Sequence, residues 1–182
     1  IIEAFLSIKR EYFVPMENRD IAYVGEHIQI GNHRVILDFR TLAKMLDAVD
    51  VTDSELVLDV GSGYGYSAAI IAHLAEAVVA LESEDKPANE MQNALIDHGI
   101  DNVIVERGPL FCGAESHAPY DVIFVQGGVE LMPDEILTQL KEGGRIVAIF
   151  MQGSLGSVKI GYKLNNEISW RFAFNAGAPV LD

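Results

Sequence analysis

The chain has 182 residues, 49% of them hydrophobic and 22% charged, which is the composition of a globular protein with one core. Its 27 acidic and 13 basic residues give a formal net charge of −14, and because this field repels phosphate backbones, nucleic acid is not an expected partner. No apolar stretch approaches the roughly 20 residues that cross a bilayer, so no membrane partner is expected.

The cysteine and histidine content limits redox and metal chemistry. The single cysteine, Cys112, excludes an intrachain disulfide and is typical of a reducing compartment. The five histidines have no spacing typical of a metal site, so no metal is expected. Charges interrupt residues 1–15, which is not the pattern of a signal peptide. We therefore expect a cytoplasmic protein.

The first fifty residues predict two helices joined by a polar connector. Apolar residues at roughly helical spacing predict a helix over residues 2–8, and Val14-Pro15 ends this pattern. The polar connector ends at Gly31. Residues 41–49 again carry apolar side chains at helical spacing and predict the second helix.

From residue 56 onward, predicted strands and helices alternate. Short apolar runs predict five buried strands, at residues 56–60, 78–82, 103–105, 121–125 and 145–151. Helices are predicted at residues 67–74, around 87–99 and at 133–140. This order requires right-handed crossovers and a parallel sheet with both faces covered, so one α/β domain is expected. Two further apolar runs, 158–164 and 168–174, flank Asn165-Asn166 and predict an antiparallel hairpin.

A glycine-rich turn follows the first predicted strand. Gly61, Gly63 and Gly65 stand at alternate positions between that strand and the next helix. Glycine is required where φ is positive or where the backbone must approach a ligand without a Cβ in the way. The G-x-G-x-G spacing differs from the G-x-G-x-x-G that cradles a pyrophosphate, so a ligand on this loop need not carry a diphosphate.

Glu82 ends the second strand, about 20 residues after the glycine loop. A carboxylate at this place can accept both hydroxyl protons of a ribose. The alternative is a purely structural turn with a surface glutamate at a strand end. Taken together, the loop and Glu82 favour a nucleoside-binding site.

The motif Asp-x-Gly-x-Gly-x-Gly followed by Glu82 resembles the first two motifs of class I S-adenosylmethionine-dependent methyltransferases. The flanking residues are similar to those of one family, the protein-L-isoaspartate O-methyltransferases. The similar segments are Phe13-Val14-Pro15, Ala22-Tyr23, Gln29-Ile30-Gly31, Asn102-Val103, Gly108 with Gly113, residues 118–121, Ile136 with residues 139–141, and residues 143–145.

The resemblance implies a Rossmann-like α/β fold with a mostly parallel, seven-stranded sheet whose C-terminal hairpin supplies the antiparallel strand. One domain would cover residues 1–182, with about 1–50 on the substrate side and 51–182 forming the cofactor-binding sheet. The cofactor would be S-adenosylmethionine and the product S-adenosylhomocysteine. The implied cofactor-binding residues are Asp59, Gly61, Ser62, Gly63, Gly65, Glu82, Gly108 and Pro109.

Members of this family methylate the abnormal carboxylate of L-isoaspartyl residues, which begins protein repair, so a damaged peptide or protein is the implied partner. A carboxylate is already ionised at neutral pH, and catalysis then consists mainly of positioning and desolvation. No catalytic side chain is therefore assigned, and the absence of a His/Asp/Ser constellation does not argue against an enzyme.

Three expected substrate-side residues depart from the family pattern. The family has a Thr-Ile-Ser-x-Pro segment where this chain has Val35 to Phe39, so Val35 and Leu37 replace the two hydroxyls. A substrate carboxylate there would lose partners, at about 1–3 kcal/mol each, and Asp38 would repel it. Arg34 is expected to be a solvated surface residue, the alternative being an anion contact. The third substrate-side residue is Gln126, whose amide can meet a different substrate.

The cofactor side departs as well, because Pro109 replaces the aspartate that accepts a hydrogen bond from the adenine amino group in the family. The loss is expected to weaken cofactor binding by roughly tenfold. A second hypothesis is therefore a catalytically inactive relative that serves as a binding or interaction module. A nicotinamide-dependent dehydrogenase is disfavoured by the glycine spacing.

Overall fold

The computed structural model describes residues 1–181, which are organised around a seven-stranded sheet with the strand order β5-β4-β3-β6-β7-β8-β9. The strands of this sheet are β3 (Leu56–Val60), β4 (Ala77–Glu82), β5 (Val103–Arg107), β6 (Tyr120–Val129), β7 (Leu140–Gln152), β8 (Leu155–Leu164) and β9 (Glu167–Asn175). Strands β3 to β7 are parallel to one another, and β8 is antiparallel to both β7 and β9. The predicted Rossmann-like sheet with one antiparallel strand is confirmed.

Both faces of the central strands are buried, as the continuous apolar runs predicted. Val57 belongs to one hydrophobic cluster and its neighbour Leu58 to the other, and the same alternation occurs at Val78 and Val79. Successive strand residues point to opposite faces, so a strand with two covered faces needs apolar residues at every position.

The five α-helices confirm the predicted helical segments with shifted ends. They are α1 (Ile2–Ser7), α2 (Phe39–Val49), α3 (Tyr66–Ala72), α4 (Asp85–Asp97) and α5 (Asp134–Thr138). The helix that is shortened most is α5, which stops at Thr138 because β7 already begins at Leu140. None of the helices within residues 1–181 is long and apolar enough to span a membrane.

The structure contains two β-hairpins, of which the sequence predicted one. The one at Asn165-Asn166 was predicted, and both residues have the positive φ values, 53° and 63°, that a type I′ turn requires. The other lies in the polar connector and was missed: β1 (Ile28–Gly31) pairs with β2 (Arg34–Ile36) around a turn at Asn32-His33. Strands of four and three residues carry little periodic signal.

Candidate functional site

The glycine loop lies at the point where the strand order reverses. The chain passes from β3 outward through β4 and β5 and then returns to β6 on the other side of β3. Ligands of open α/β sheets bind beyond the carboxyl ends of the strands at such a switch point. The carboxyl ends of β3 and β4 are Val60 and Glu82, so the predicted loop and acid adjoin the same crevice.

All three glycines of the loop have the left-handed backbone that the sequence predicted, with φ values of 79° at Gly61, 58° at Gly63 and 90° at Gly65. The amides of Gly61 and Ser62 donate to the carbonyl oxygen of Leu81, at 2.9 and 3.1 Å. The loop is therefore held against the end of β4.

Asp59 anchors the loop from beneath. It is fully buried, and its carboxylate accepts hydrogen bonds from Ser62 Oγ at 2.7 Å, Ser67 Oγ at 2.6 Å and Gln126 Nε2 at 2.8 Å. The side chain of Ser62 thus faces Asp59. The expectation that the Gln126 amide meets a substrate is wrong for this arrangement, since that side chain is 4% exposed and its amide binds Asp59.

Burial raises the pKa of Asp59 to about 6, against an ordinary value of 3.8, although the Ser67, Ser62 and Gln126 hydrogen bonds oppose the shift. The folded state then holds the proton more tightly than the unfolded state, so Asp59 contributes stability below about pH 4 that is lost as the pH rises through 6.

We expect the free energy of unfolding of the wild type, relative to that of Asp59→Asn, to fall by about 2 kcal/mol between about pH 4 and pH 7. The asparagine cannot ionise, so the difference between the two proteins isolates this group. Urea denaturation at a series of pH values measures it. A difference that is constant with pH would contradict the raised pKa.

Glu82 is buried beside the glycine loop. The ribose-binding hypothesis requires its carboxylate to lie next to this loop. Its side chain is 0% exposed, and Oε2 accepts the amide of Gly63 at 2.7 Å. Oε1 accepts the amides of Ser83 at 2.8 Å and Glu84 at 3.0 Å. These backbone contacts fix the carboxylate against the glycine loop.

Arg34 completes the surroundings of this carboxylate, and the expectation that it is a solvated surface residue is wrong. It is 5% exposed, and its guanidinium forms a two-pronged ion pair with Glu82, Nη1 to Oε1 at 2.9 Å and Nη2 to Oε2 at 2.6 Å. The β1–β2 hairpin brings Arg34 to this place from 48 residues away in the sequence. A hairpin that the sequence did not predict therefore supplies the partner.

Side chains fill part of the space over the glycines. A Cβ built on Gly63 would lie 2.8 Å from Ile30 Cδ1, and one on Gly65 would lie 2.6 Å from Met91 Cγ. The expected bare backbone is thus covered at these two positions by packing side chains. A Cβ built on Gly61 would lie 3.6 Å from Arg34 Nη2, so the guanidinium also lies above the loop.

An apolar cavity of about 280 Å³ adjoins the loop between the ends of β3 and β6. Leu110 and Leu181 line it and also lie within 3.7 Å of a Cβ built on Gly61. Of the predicted segment Gly108-Pro109, neither residue lines the cavity, and Pro109 is exposed. The next two residues, Leu110 and Phe111, reach it, and sequence reasoning did not identify either of them.

Two of the predicted substrate-side residues, Val35 and Leu37, lie in the hydrophobic core. Val35 and Leu37 are 5% and 1% exposed and belong to the hydrophobic core, so they present no surface to a substrate. Asp38 is the N-cap of α2: its Oδ1 accepts the amides of Arg40 and Thr41, at 3.0 and 2.9 Å. Asp38 therefore has a structural role at the helix end, and its expected repulsion of a substrate stays a prediction.

Gly127 and Gly128, near the end of β6, lie against the segment that follows β9. The amide of Gly128 donates to the carbonyl of Pro179 at 2.8 Å, and the amide of Leu181 donates to the carbonyl of Gly128 at 2.9 Å. A Cβ on Gly127 would lie 2.6 Å from the Leu181 side chain. The two glycines therefore admit the segment that follows β9 next to the cavity.

The sheet, the switch-point loop and the acid at the end of β4 together define the class I, Rossmann-like methyltransferase fold. A solved protein-L-isoaspartate O-methyltransferase, 25% identical, aligns with a TM-score of 0.86 over 99% of this chain and 60% of its own. A putative enzyme of the same name from Plasmodium falciparum, in complex with S-adenosyl-L-homocysteine, aligns at 0.83 over 99% of this chain and 88% of its own. That protein is 18% identical and supports the fold alone.

The sequence comparisons are more specific. The family model described as Protein-L-isoaspartate(D-aspartate) O-methyltransferase (PCMT) matches residues 1–169. Protein-L-isoaspartate O-methyltransferase 2 of Anaeromyxobacter sp. (strain Fw109-5) is 38% identical over 160 residues, which are 88% of this chain and 65% of that protein. The chain belongs to the protein-L-isoaspartate O-methyltransferase family. It spans 60% of a second relative, from Rhodopseudomonas palustris (strain HaA2), with 36% identity.

Proposed function

We propose that this chain is an S-adenosylmethionine-dependent O-methyltransferase whose acceptor is the carboxylate of L-isoaspartyl residues in damaged proteins. The observation that carries the proposal is the buried Glu82 carboxylate, held by the Gly63 amide at 2.7 Å at the switch point of the sheet. The names of its relatives, and the S-adenosyl-L-homocysteine bound to the Plasmodium falciparum protein, support this chemistry.

The residues at the crevice suit an adenosyl ligand in three respects. Glu82 offers a carboxylate to ribose hydroxyls, the loop at Gly61 offers backbone to the amino-acid part, and the cavity lined by Leu110 offers an apolar surface to adenine. The fit requires the guanidinium of Arg34 to leave Glu82. When bound, S-adenosylmethionine supplies an electrophilic methyl group.

The chain's own contribution is to hold and dehydrate the reactants. An isoaspartyl carboxylate is ionised at neutral pH, so no side chain has to remove a proton. Correct placement of nucleophile and methyl group, with water excluded, lowers the barrier. We further propose one domain over residues 1–182, with about 1–50 on the substrate side, and a cytoplasmic location, which the lone exposed thiol of Cys112 supports.

Two measurements on the wild-type chain test the proposal. Calorimetric titration with S-adenosylhomocysteine is expected to give a measurable Kd, with NADH as the matched control ligand that does not bind. Transfer of labelled methyl from S-adenosylmethionine is expected to an isoaspartyl peptide and not to the same peptide with a normal aspartate. Absence of S-adenosylhomocysteine binding at millimolar concentration overturns the proposal. Binding without transfer leaves the inactive-module alternative.

A further inference from the structure

We infer that Arg34 is an internal competitor for the cofactor site, so that the affinity of this chain for S-adenosylmethionine is set by how readily Arg34 releases Glu82. The inference rests on the proposed function, because the ligand concerned is the proposed cofactor. It assigns a role to a residue that touches the ribose-binding carboxylate and that enters the site from the β1–β2 hairpin.

The hydrogen-bonding capacity of Glu82 carries the first step. An ionised carboxylate has about four acceptor sites. Oε1 already accepts from Arg34 Nη1 and from the amides of Ser83 and Glu84, and Oε2 accepts from Arg34 Nη2 and the amide of Gly63. With a longer sixth contact, from Ser83 Oγ to Oε1 at 3.4 Å, these hydrogen bonds saturate the group. Two ribose hydroxyls can be accepted only when the two contacts from Arg34 are lost.

The space above the loop carries the second step. Arg34 Nη2 lies 3.6 Å from the position of a Cβ on Gly61, and the Arg34 side chain is 5% exposed. The guanidinium therefore occupies the volume next to the loop as well as the acceptor atoms. A ligand that approaches both Gly61 and Glu82 meets Arg34 on the way.

The third step is that the closed arrangement can open. Arg34 Nε is buried without a hydrogen-bond partner among residues 1–181, which weakens the closed state because a desolvated donor is left unmatched. Its backbone belongs to a two-stranded hairpin outside the main sheet, with β2 only three residues long. Release of the side chain leaves the seven-stranded sheet intact.

The test is calorimetric titration of S-adenosylhomocysteine into the wild type, Arg34→Gln, Arg34→Lys and the control Arg40→Gln, in which an exposed arginine of α2 is neutralised. Arg34→Gln is expected to lower the Kd by about tenfold or more. Arg34→Lys is expected to lower it less, since an ammonium keeps a charge near Glu82 but cannot bind it in two-pronged fashion. The Kd of Arg40→Gln is expected to equal that of the wild type.

Tighter binding separates this role from a structural one, because damage to the site would weaken binding. Arg34→Lys keeps a cation beside the buried carboxylate and so guards against a variant that does not fold. A second measurement uses the wild type. The ¹⁵N resonances of the Arg34 guanidinium are expected to show that its hindered rotation is lost on saturation with S-adenosylhomocysteine. Unchanged guanidinium resonances in the saturated protein would overturn the inference.

The outcomes distinguish this inference from the proposed function. If the wild type binds S-adenosylhomocysteine and the Arg34 variants bind it no more tightly, the competition is refuted and the proposed function stands. If neither the wild type nor any variant binds at millimolar concentration, the proposed function fails and the inference fails with it.

Discussion

Replacement of Asp59 by alanine is expected to lower the free energy of unfolding by about 3 kcal/mol. Three buried donors, Ser62 Oγ, Ser67 Oγ and Gln126 Nε2, lose their acceptor, at about 1–3 kcal/mol each. Removal of a buried carboxylate whose pKa is raised to about 6 offsets about 3 kcal/mol of that loss. The hydrogen-bond loss exceeds the relief, so the net effect is destabilising.

Urea denaturation at pH 7, followed by circular dichroism, measures this loss. Asp53→Ala is the matched control, since Asp53 is an exposed aspartate six residues earlier, and it is expected to change stability by less than about 0.5 kcal/mol. A loss below about 1 kcal/mol in Asp59→Ala would mean that the three donors find other partners. The anchoring role of Asp59 would then be wrong.

The second large effect concerns the affinity for S-adenosylhomocysteine at Glu82. Glu82→Gln alone would leave the buried guanidinium of Arg34 without its counter-charge, which is strongly destabilising. The variant is therefore made in the Arg34→Gln background, where both charges are absent. There, Glu82→Gln is expected to raise the Kd by about 100-fold, because two hydrogen bonds to a charged acceptor contribute about 1.5 kcal/mol or more each.

The control for this experiment lies at the other end of the same strand. Glu76 is exposed and directly precedes β4, so adding Glu76→Gln to Arg34→Gln makes the same net charge change without a further change in the crevice. Its Kd is expected to match that of Arg34→Gln alone. Equal affinities for the two double variants would exclude Glu82 as the ribose-binding group.

Both effects depend on one short stretch of the structure in which two buried carboxylates serve different purposes. Asp59 lies beneath the loop and is satisfied by neutral donors, so it holds the loop in shape. Glu82 lies beside the loop and is satisfied by a guanidinium as well as by amides, so part of its coordination can be exchanged for a ligand. The difference in partners explains why stability is expected to respond to one and affinity to the other.

Much of the fold was predictable from local patterns. The buried strands follow from continuous apolar runs, the glycine loop from three residues that tolerate positive φ, and the last hairpin from Asn165-Asn166. The placement of Glu82 at the end of β4 followed from the apolar run that it ends. These signals are local, because the allowed φ values and side-chain periodicity of a segment depend on its own residues.

The partners of the site residues were decided only by the tertiary structure. Arg34 meets Glu82 across 48 residues, and Gln126 meets Asp59 across 67. The same packing buries Val35 and Leu37, which the sequence assigned to a substrate surface, within the core. The physical reason is that burial and ion pairing depend on which distant elements the sheet order brings into contact, and no single segment encodes that order.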